Sequence, residues 1–180
     1  MAGAPPLECR TGLLIPVAAE GLVGDFRSRH NAVSVARRIP PHITVLFPFV
    51  KAAAVNERTR ADLAAHFAAF DSFEASLTRV GVFDGYVWLA PEPRDRFLDL
   101  ITETCARFPE YPPYDGEGLE PEPHLTIASV DDGDHAVRVS SIARAEFAAV
   151  LPFRFIVDGV ALFEERQDGT WRESSRFGLA

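Results

Sequence analysis

The chain is poor in the residues that usually announce a metal, a membrane or a redox centre. Its two cysteines, Cys9 and Cys105, lie far apart and have no partners at metal-ligand spacing, so no metal site and no redox chemistry is implied. Cys105 falls on the apolar face of an expected helix, where a buried reduced thiol is the ordinary outcome. Lysine is nearly absent: Lys51 is the only one among 18 basic residues, a composition bias from which no function follows. The longest apolar runs, "TGLLIPVAA" and "ITVLFPFV", fall far short of the ~20 residues a membrane span needs and are broken by proline. The N-terminal "MAGAPPLECR" has no basic region leading into an apolar stretch, so cytoplasmic residence is expected. Positive charge is also scarce, with 18 Lys and Arg against 26 Asp and Glu and a net charge of −8. Long nucleic acid held without base contacts needs many Lys and Arg on phosphates, so an extended nucleic-acid groove is disfavoured. A compact site for one phosphate, or for an RNA end, needs only local donors.

What is present fits an ordinary globular chain: 180 residues, 47% hydrophobic and 24% charged, enough to bury a core. We expect one domain over residues 1–180, built of two intimately packed lobes, and a monomer.

Periodicity supplies the elements. Residues 12–17 read as a buried strand, 19–31 as a helix, and "ITVLFPFV" (43–50) as a second strand. Residues 56–70 read as a helix capped by Asn56, with Leu63, Phe67 and Phe70 on one face. "SFEASLTRV" alternates Phe73, Ala75 and Leu77 against Glu74, Ser76 and Thr78, the period of a strand with one wet face. Asp84-Gly85 suits a two-residue hairpin turn, which implies antiparallel pairing. A helix over 94–108 places Phe97, Ile101, Cys105 and Phe108 together. A proline- and glycine-rich loop, 109–123, then leads to the strand "HLTIASV". A helix from Asp134 to Ala149 has Val139, Ile142 and Val150 marking its apolar side, and the tail from 153 reads as two strands about an Asp168-Gly169 turn. Interleaved helices with visible hairpins make the fold class α+β.

One phrase is written twice: "PPHITV" at 40–45 and "EPHLTI" at 122–127. An isolated His-x-Thr is common by chance. These two share a preceding proline, aliphatic residues flanking the threonine, and a position at the start of a strand. Successive side chains of a strand face opposite ways, so His42 and Thr44 point together while Ile43 and Val45 point into the core. His124 and Thr126 are related in the same way to Leu125 and Ile127. Each strand thus offers one imidazole and one hydroxyl. Paired imidazoles suit acid–base catalysis of attack at phosphorus, one ring taking a proton from the attacking oxygen and the other giving one to the leaving oxygen. The threonine hydroxyls suit the non-bridging phosphate oxygens. The motif region lacks the carboxylates of a magnesium or two-metal site, so neither metal nor cofactor is expected. His30, His66 and His135 have no such pairing and are expected at the surface or beside helices.

The two motifs and their surroundings, "IPPHITVLFPFV" and "YPPYDGEGLEPEPHLTIASV", resemble the two HxTx signatures of the two-histidine (2H) phosphoesterase superfamily, specifically its 2′-5′ RNA ligase-like branch. The resemblance runs along most of the chain. It implies a two-lobed fold with pseudo-twofold symmetry, antiparallel sheets lining a central cleft and helices outside, with one HxT strand from each lobe in the cleft. It further implies that His42 and His124 are catalytic, that Thr44 and Thr126 bind phosphate, and that the protein is a metal-independent phosphodiesterase. Its substrates would be 2′,3′-cyclic phosphates or 2′-5′ linkages of small nucleotides or RNA ends. Which histidine is acid and which base stays open at this point. Tyr86, Trp88 and Tyr114 are candidates to stack on a base, and Arg37 and Arg38 to meet a phosphate. An RNA-end ligase, a lyase-type exonuclease or a non-catalytic nucleotide-binding module would use the same residues.

Overall fold

A computed structural model describes residues 8–83, 85–116 and 121–180. Strand β1 (Thr11–Pro16) leads through helix α1 (Glu20–His30) and a short helix α2 (Ala32–Ala36) to β2 (His42–Leu46). Helix α3 (Glu57–Phe67) connects to the hairpin of β3 (Phe73–Phe83) and β4 (Tyr86–Glu92). Helix α4 (Arg94–Arg107) then precedes β5 (Leu125–Ser129), and α5 (Gly133–Phe147) precedes β6 (Phe153–Val157), β7 (Gly159–Glu165) and β8 (Trp171–Gly178). The strands form two four-stranded sheets, ordered β2-β1-β7-β8 and β5-β4-β3-β6, and every pairing is antiparallel. The orders correspond strand for strand about a pseudo-twofold axis, β2 with β5 and β1 with β4. This is the α+β, two-lobed architecture expected from the motifs.

Helices pack against one face of the sheets and bury one continuous core. Leu13, Ile15, Ile43 and Val45 of the first sheet and Leu77, Leu89, Leu125 and Ile127 of the second contribute to it, with Phe26, Leu63, Phe67, Phe97 and Phe147 from the helices. Two of the helices cross over between lobes. α1 leaves the first sheet to pack behind β5, and α4 leaves the second to pack behind β2. Each HxT strand, at the edge of its own sheet, is therefore covered by a helix that follows a strand of the other sheet, and β2 and β5 lie against each other. The opposite face of the first sheet carries a smaller apolar cluster, Leu14, Ala161, Phe163 and Trp171, joined by Ile39 and Phe47. Leu14 stands opposite Thr44 in the register, so this face lines the cleft.

Several local readings hold. Asn56 caps α3 by accepting from Thr59 N at 3.0 Å, and Leu63 and Phe67 are fully buried. The β3–β4 pairing closes on Phe83 opposite Tyr86; Gly85 has φ +76, while Asp84 of the expected turn lies outside the described residues. Gly169 (φ +77) completes the other expected turn, where Asp168 accepts from both N and Oγ1 of Thr170.

Others need correction. The strand expected over 43–50 ends at Leu46, because Pro48 has no N–H for a ladder. The tail forms three strands rather than two. β6 pairs with β3 in the second sheet, then the chain passes through Asp158 into the first sheet as β7. Gly159 permits that passage, since a Cβ there would lie 2.7 Å from the carbonyl oxygen of Phe177. Residue alternation is the same whichever sheet a strand joins, so the change of sheet leaves no mark in the pattern. On α5, Val139 is buried but Ile142 is 48% exposed, and Val150, which lies beyond the helix end at Phe147, is 49% exposed. The buried face is Ala136, Val139, Ser140, Ala143 and Phe147, a stripe at i, i+3, i+4, i+7 and i+11 whose small members are outweighed in the sequence by larger apolar neighbours.

Phe147→Ala is expected to cost about 3–5 kcal/mol, and Ile142→Ala to stay within about 0.5 kcal/mol, as read from urea unfolding midpoints. Equal losses at the two positions would mean that α5 is rotated from the face described.

Candidate functional site

The two motifs occupy equivalent places. Burial alternates identically in each: Pro41, Ile43 and Val45 are buried while His42 and Thr44 are half-exposed, and Pro123, Leu125 and Ile127 are buried while His124 and Thr126 are half-exposed. The alternation follows from the pleat once a helix covers one face of the strand. The structure therefore brings all four expected residues to the open side of two touching edge strands.

The imidazoles are tethered in the same way. His42 Nδ1 lies 2.8 Å from the carbonyl oxygen of Pro40, and His124 Nδ1 lies 2.6 Å from that of Glu122. A carbonyl oxygen only accepts, so Nδ1 carries the hydrogen in both rings and the neutral form has its lone pair on Nε2. Each tether spans two residues across the proline, which explains why a proline precedes each histidine: it holds the backbone extended into the strand without needing an N–H partner.

Burial pushes the His42 ring down to about 4, against the pull of its bond to Pro40; Arg27 and His124 push it further in the same direction. Burial also lowers His124, but there the Glu122 carbonyl and carboxylate oppose it. Both rings are thus neutral near pH 7 in the unliganded protein, and a bound anion would raise both. Around His124, Phe83 stands edge-on at 5.3 Å and Trp88 at 6.1 Å, and Phe83 stacks on Trp88 at 4.8 Å. Arg79 covers the Trp88 ring at 5.4 Å. Gly81 makes room for this arrangement, because a Cβ there would lie 2.3 Å from the indole ring.

The remaining candidates divide. Trp88 is 4% exposed, too covered to receive a base as it stands, whereas Phe83 (38%) and Tyr86 (48%) are open. Tyr114 is 40% exposed and its N–H donates to the carbonyl of Phe47, which places it beside the end of β2. Arg37 and Arg38 are exposed and lie along the β7–β8 turn, where the Arg37 carbonyl accepts from Trp171 N and Arg38 helps to lower Asp168. They are not gathered with the histidines by any contact. His66, expected at the surface or beside a helix, is half-buried between helices: its Nε2 meets Thr104 Oγ1 at 3.0 Å, and Phe67, Phe70 and Phe108 surround it. Helices α3 and α4 come together there, which no local pattern records. Three residues beside the motifs escape the sequence reading: Arg27, Phe83 and Glu122. Glu122 alone has a positional signal, as the residue before Pro123. Among the described residues no group of three or more His, Cys, Asp or Glu side chains is arranged to hold a metal ion, and no helix is long and apolar enough to cross a membrane.

The class of protein is that of the 2H phosphoesterases. The family model for the 2′-5′ RNA ligase superfamily matches residues 15–169, and the chain belongs to that family. Among solved structures, E. coli LigT complexed with 3′-AMP is similar over 95% of this chain and 98% of its own, with a TM-score of 0.60 and 14% identity. The protein TT0787 of Thermus thermophilus is similar over 94% and 97%, with a TM-score of 0.56 and 18% identity. A further structure described as a phosphoesterase is similar over 95% and 98%, with a TM-score of 0.59 at 15% identity. At these identities the likeness is one of fold. No curated protein matches the chain.

Because the folded His42 ring sits below its ordinary value of 6.5, at about 4, the unfolded chain binds more protons between those limits. Stability is therefore present above pH 6.5 and is lost as pH falls toward 4. Urea unfolding should show this loss in the wild type and a shallower one in His42→Gln; identical pH dependence in the two would mean that His42 is not held neutral by the fold.

Proposed function

We propose that the protein is a metal-independent phosphodiesterase that opens 2′,3′-cyclic phosphates or cleaves 2′-5′ linkages of small nucleotides or RNA ends. The observation that carries the proposal is the duplicated half-site: two Nδ1-tethered histidines, each with a threonine two residues on, on contacting edge strands from two sheets.

The chemistry follows from what this arrangement offers. A phosphodiester anion placed between the strands presents two non-bridging oxygens, and the hydroxyls of Thr44 and Thr126 donate to them. His42 and His124 then act on the two apical oxygens, one Nε2 accepting the proton of an attacking water and the other donating a proton to the departing ribose oxygen. The Nδ1 tethers hold both rings in the tautomer that leaves Nε2 available, so the rings are positioned before substrate arrives. The exposed ring of Phe83, edge-on to His124, offers an apolar face for the nucleoside attached to that phosphate. LigT of similar fold has been crystallised with 3′-AMP, ATP and NADP+, which supports a nucleotide-sized substrate for this cleft. The net charge of −8 favours small substrates or RNA termini over long RNA.

Turnover of nucleoside 2′,3′-cyclic phosphates and of a 2′-5′ dinucleotide, followed by phosphorus NMR with EDTA present, is the direct test. His42→Ala and His124→Ala are expected to lower turnover about 10²–10⁴-fold, and Thr44→Val or Thr126→Val about 10²–10³-fold. Full activity in either histidine variant would remove the acid–base pair. Tight binding of a 2′-nucleotide with no turnover of any of these substrates would make the cleft a binding module.

A further inference from the structure

The two half-sites match in backbone and hydrogen bonding but differ in charge. Behind His42, Arg27 of α1 is 2% exposed and donates from Nη2 to the carbonyl of Ile39 at 2.7 Å. The next carbonyl along, that of Pro40, holds the His42 ring. A buried guanidinium is thus joined to the ring through Pro40 and two hydrogen bonds, one at the carbonyl before it and one at its own. Its counter-charge is weak: Glu20 lies 3.5 Å from Nη1 with a side chain 66% exposed, and Arg27 Nε is buried without a partner. At His124 the residue that corresponds to Pro40 is an acid. Glu122 holds that ring by its carbonyl and carries a carboxylate paired with Arg94 at 2.6 Å.

Arg94 offsets part of the Glu122 charge, yet Glu122 still favours a proton on His124 while Arg27 opposes one on His42. α4, packed behind β2, turns Phe97, Leu100 and Ile101 inward, and burial raises its thiol, Cys105, so that it stays neutral. α1, packed behind β5, turns Val23, Phe26 and Arg27 inward, and Arg27 bears on His42. Arg79 is exposed to solvent over the Trp88 ring. When a phosphodiester anion binds, it favours protonation of both rings, but the two rings also repel, so the pair takes up its first proton on the less opposed side. Arg27 opposes that proton at His42, and the Glu122 carboxylate favours it at His124.

We infer that Arg27 is a positioning residue that divides the labour of the pair, holding His42 as the neutral proton acceptor and leaving His124 as the protonated donor. The inference gives direction to the phosphodiesterase reading and rests on that reading for its chemical meaning. In the step it describes, a water proton passes to His42 Nε2 as the water oxygen bonds to phosphorus. The bond from phosphorus to the ribose oxygen breaks, and that oxygen takes the Nε2 proton of His124. Water is consumed, one phosphomonoester and one hydroxyl are formed, and the two rings exchange protons with solvent to reset.

The test is the titration of the two rings by NMR, assigned with His42→Gln and His124→Gln, in the free protein and with 2′-AMP as the probe. His124 is expected to hold its proton to a higher pH than His42 in both. Arg27→Met should raise His42 part of the way from about 4 toward 6.5 and move His124 less, whereas Arg27→Lys, which keeps the charge, should preserve the wild-type order. With a 2′,3′-cyclic nucleotide as substrate, the acid limb of kcat/KM should move upward in Arg27→Met and stay in place in Arg27→Lys. Should Arg27→Met fail to fold, Glu122→Gln supplies the complementary variant and is expected to lower His124. His42 titrating at or above His124 in the wild type, or variants that leave both rings unmoved, would overturn the inference. Expected ring titrations without turnover of any cyclic phosphate would support the role of Arg27 and defeat the enzymatic reading separately.

Discussion

The arrangement depends on covering one face of two edge strands. β2 and β5 end their sheets, and each would be a two-faced ribbon if α4 and α1 did not pack behind them. With Ile43, Val45, Leu125 and Ile127 buried against those helices, the pleat leaves His42, Thr44, His124 and Thr126 no direction but the cleft. α1 and α4 are exchanged between lobes, so neither site strand is completed by its own half alone. Bringing the lobes together and assembling the site are one packing event.

Local hydrogen bonding then sharpens what packing places. A ring projecting from a strand has freedom about two torsions, and a bond from Nδ1 to the carbonyl two residues back removes much of it. The same bond selects the tautomer, so orientation and chemistry are set by one interaction. Duplication makes the two rings equivalent to first order. The flanking charges, Arg27 and Glu122, break that equivalence, and an acid–base pair needs such a difference to hold one proton in a definite place.

Much of this is legible in the chain. The repeated Pro-His-aliphatic-Thr-aliphatic phrase identifies all four residues that share the cleft, because a period of two carries the face of each side chain directly. The Asp168-Gly169 turn and the Asn56 cap are equally local and equally readable; on α4, Phe97, Ile101 and Phe108 are buried as read, but Cys105 is half-buried and Leu100 and Thr104 complete the face. The errors fall where partners are distant. The size of Ile142 suggests a core position, while Ala136 and Ala143 hold that face. The tail reads as one hairpin because passage from one sheet to the other leaves the alternation unchanged. His66 reads only as a surface or helix-flanking residue, and its partners Thr104 and Phe108 come from α4 and its C-terminal end.

By itself, then, the sequence determined the chemistry available: which side chains alternate outward, in which tautomer-setting frame, and how often the frame occurs. These are properties of a few consecutive residues, and the pleat translates them without reference to the rest of the chain. The tertiary structure alone decided that the two frames meet, that each is backed by the other lobe's helix, and that a buried arginine stands beside one ring and a carboxylate beside the other. Those outcomes arise from contacts between residues well separated in the chain, such as Arg27 with the carbonyl of Ile39 and β2 with β5. Charge acts through space rather than along the chain, so nothing near Arg27 in sequence marks it as a neighbour of His42.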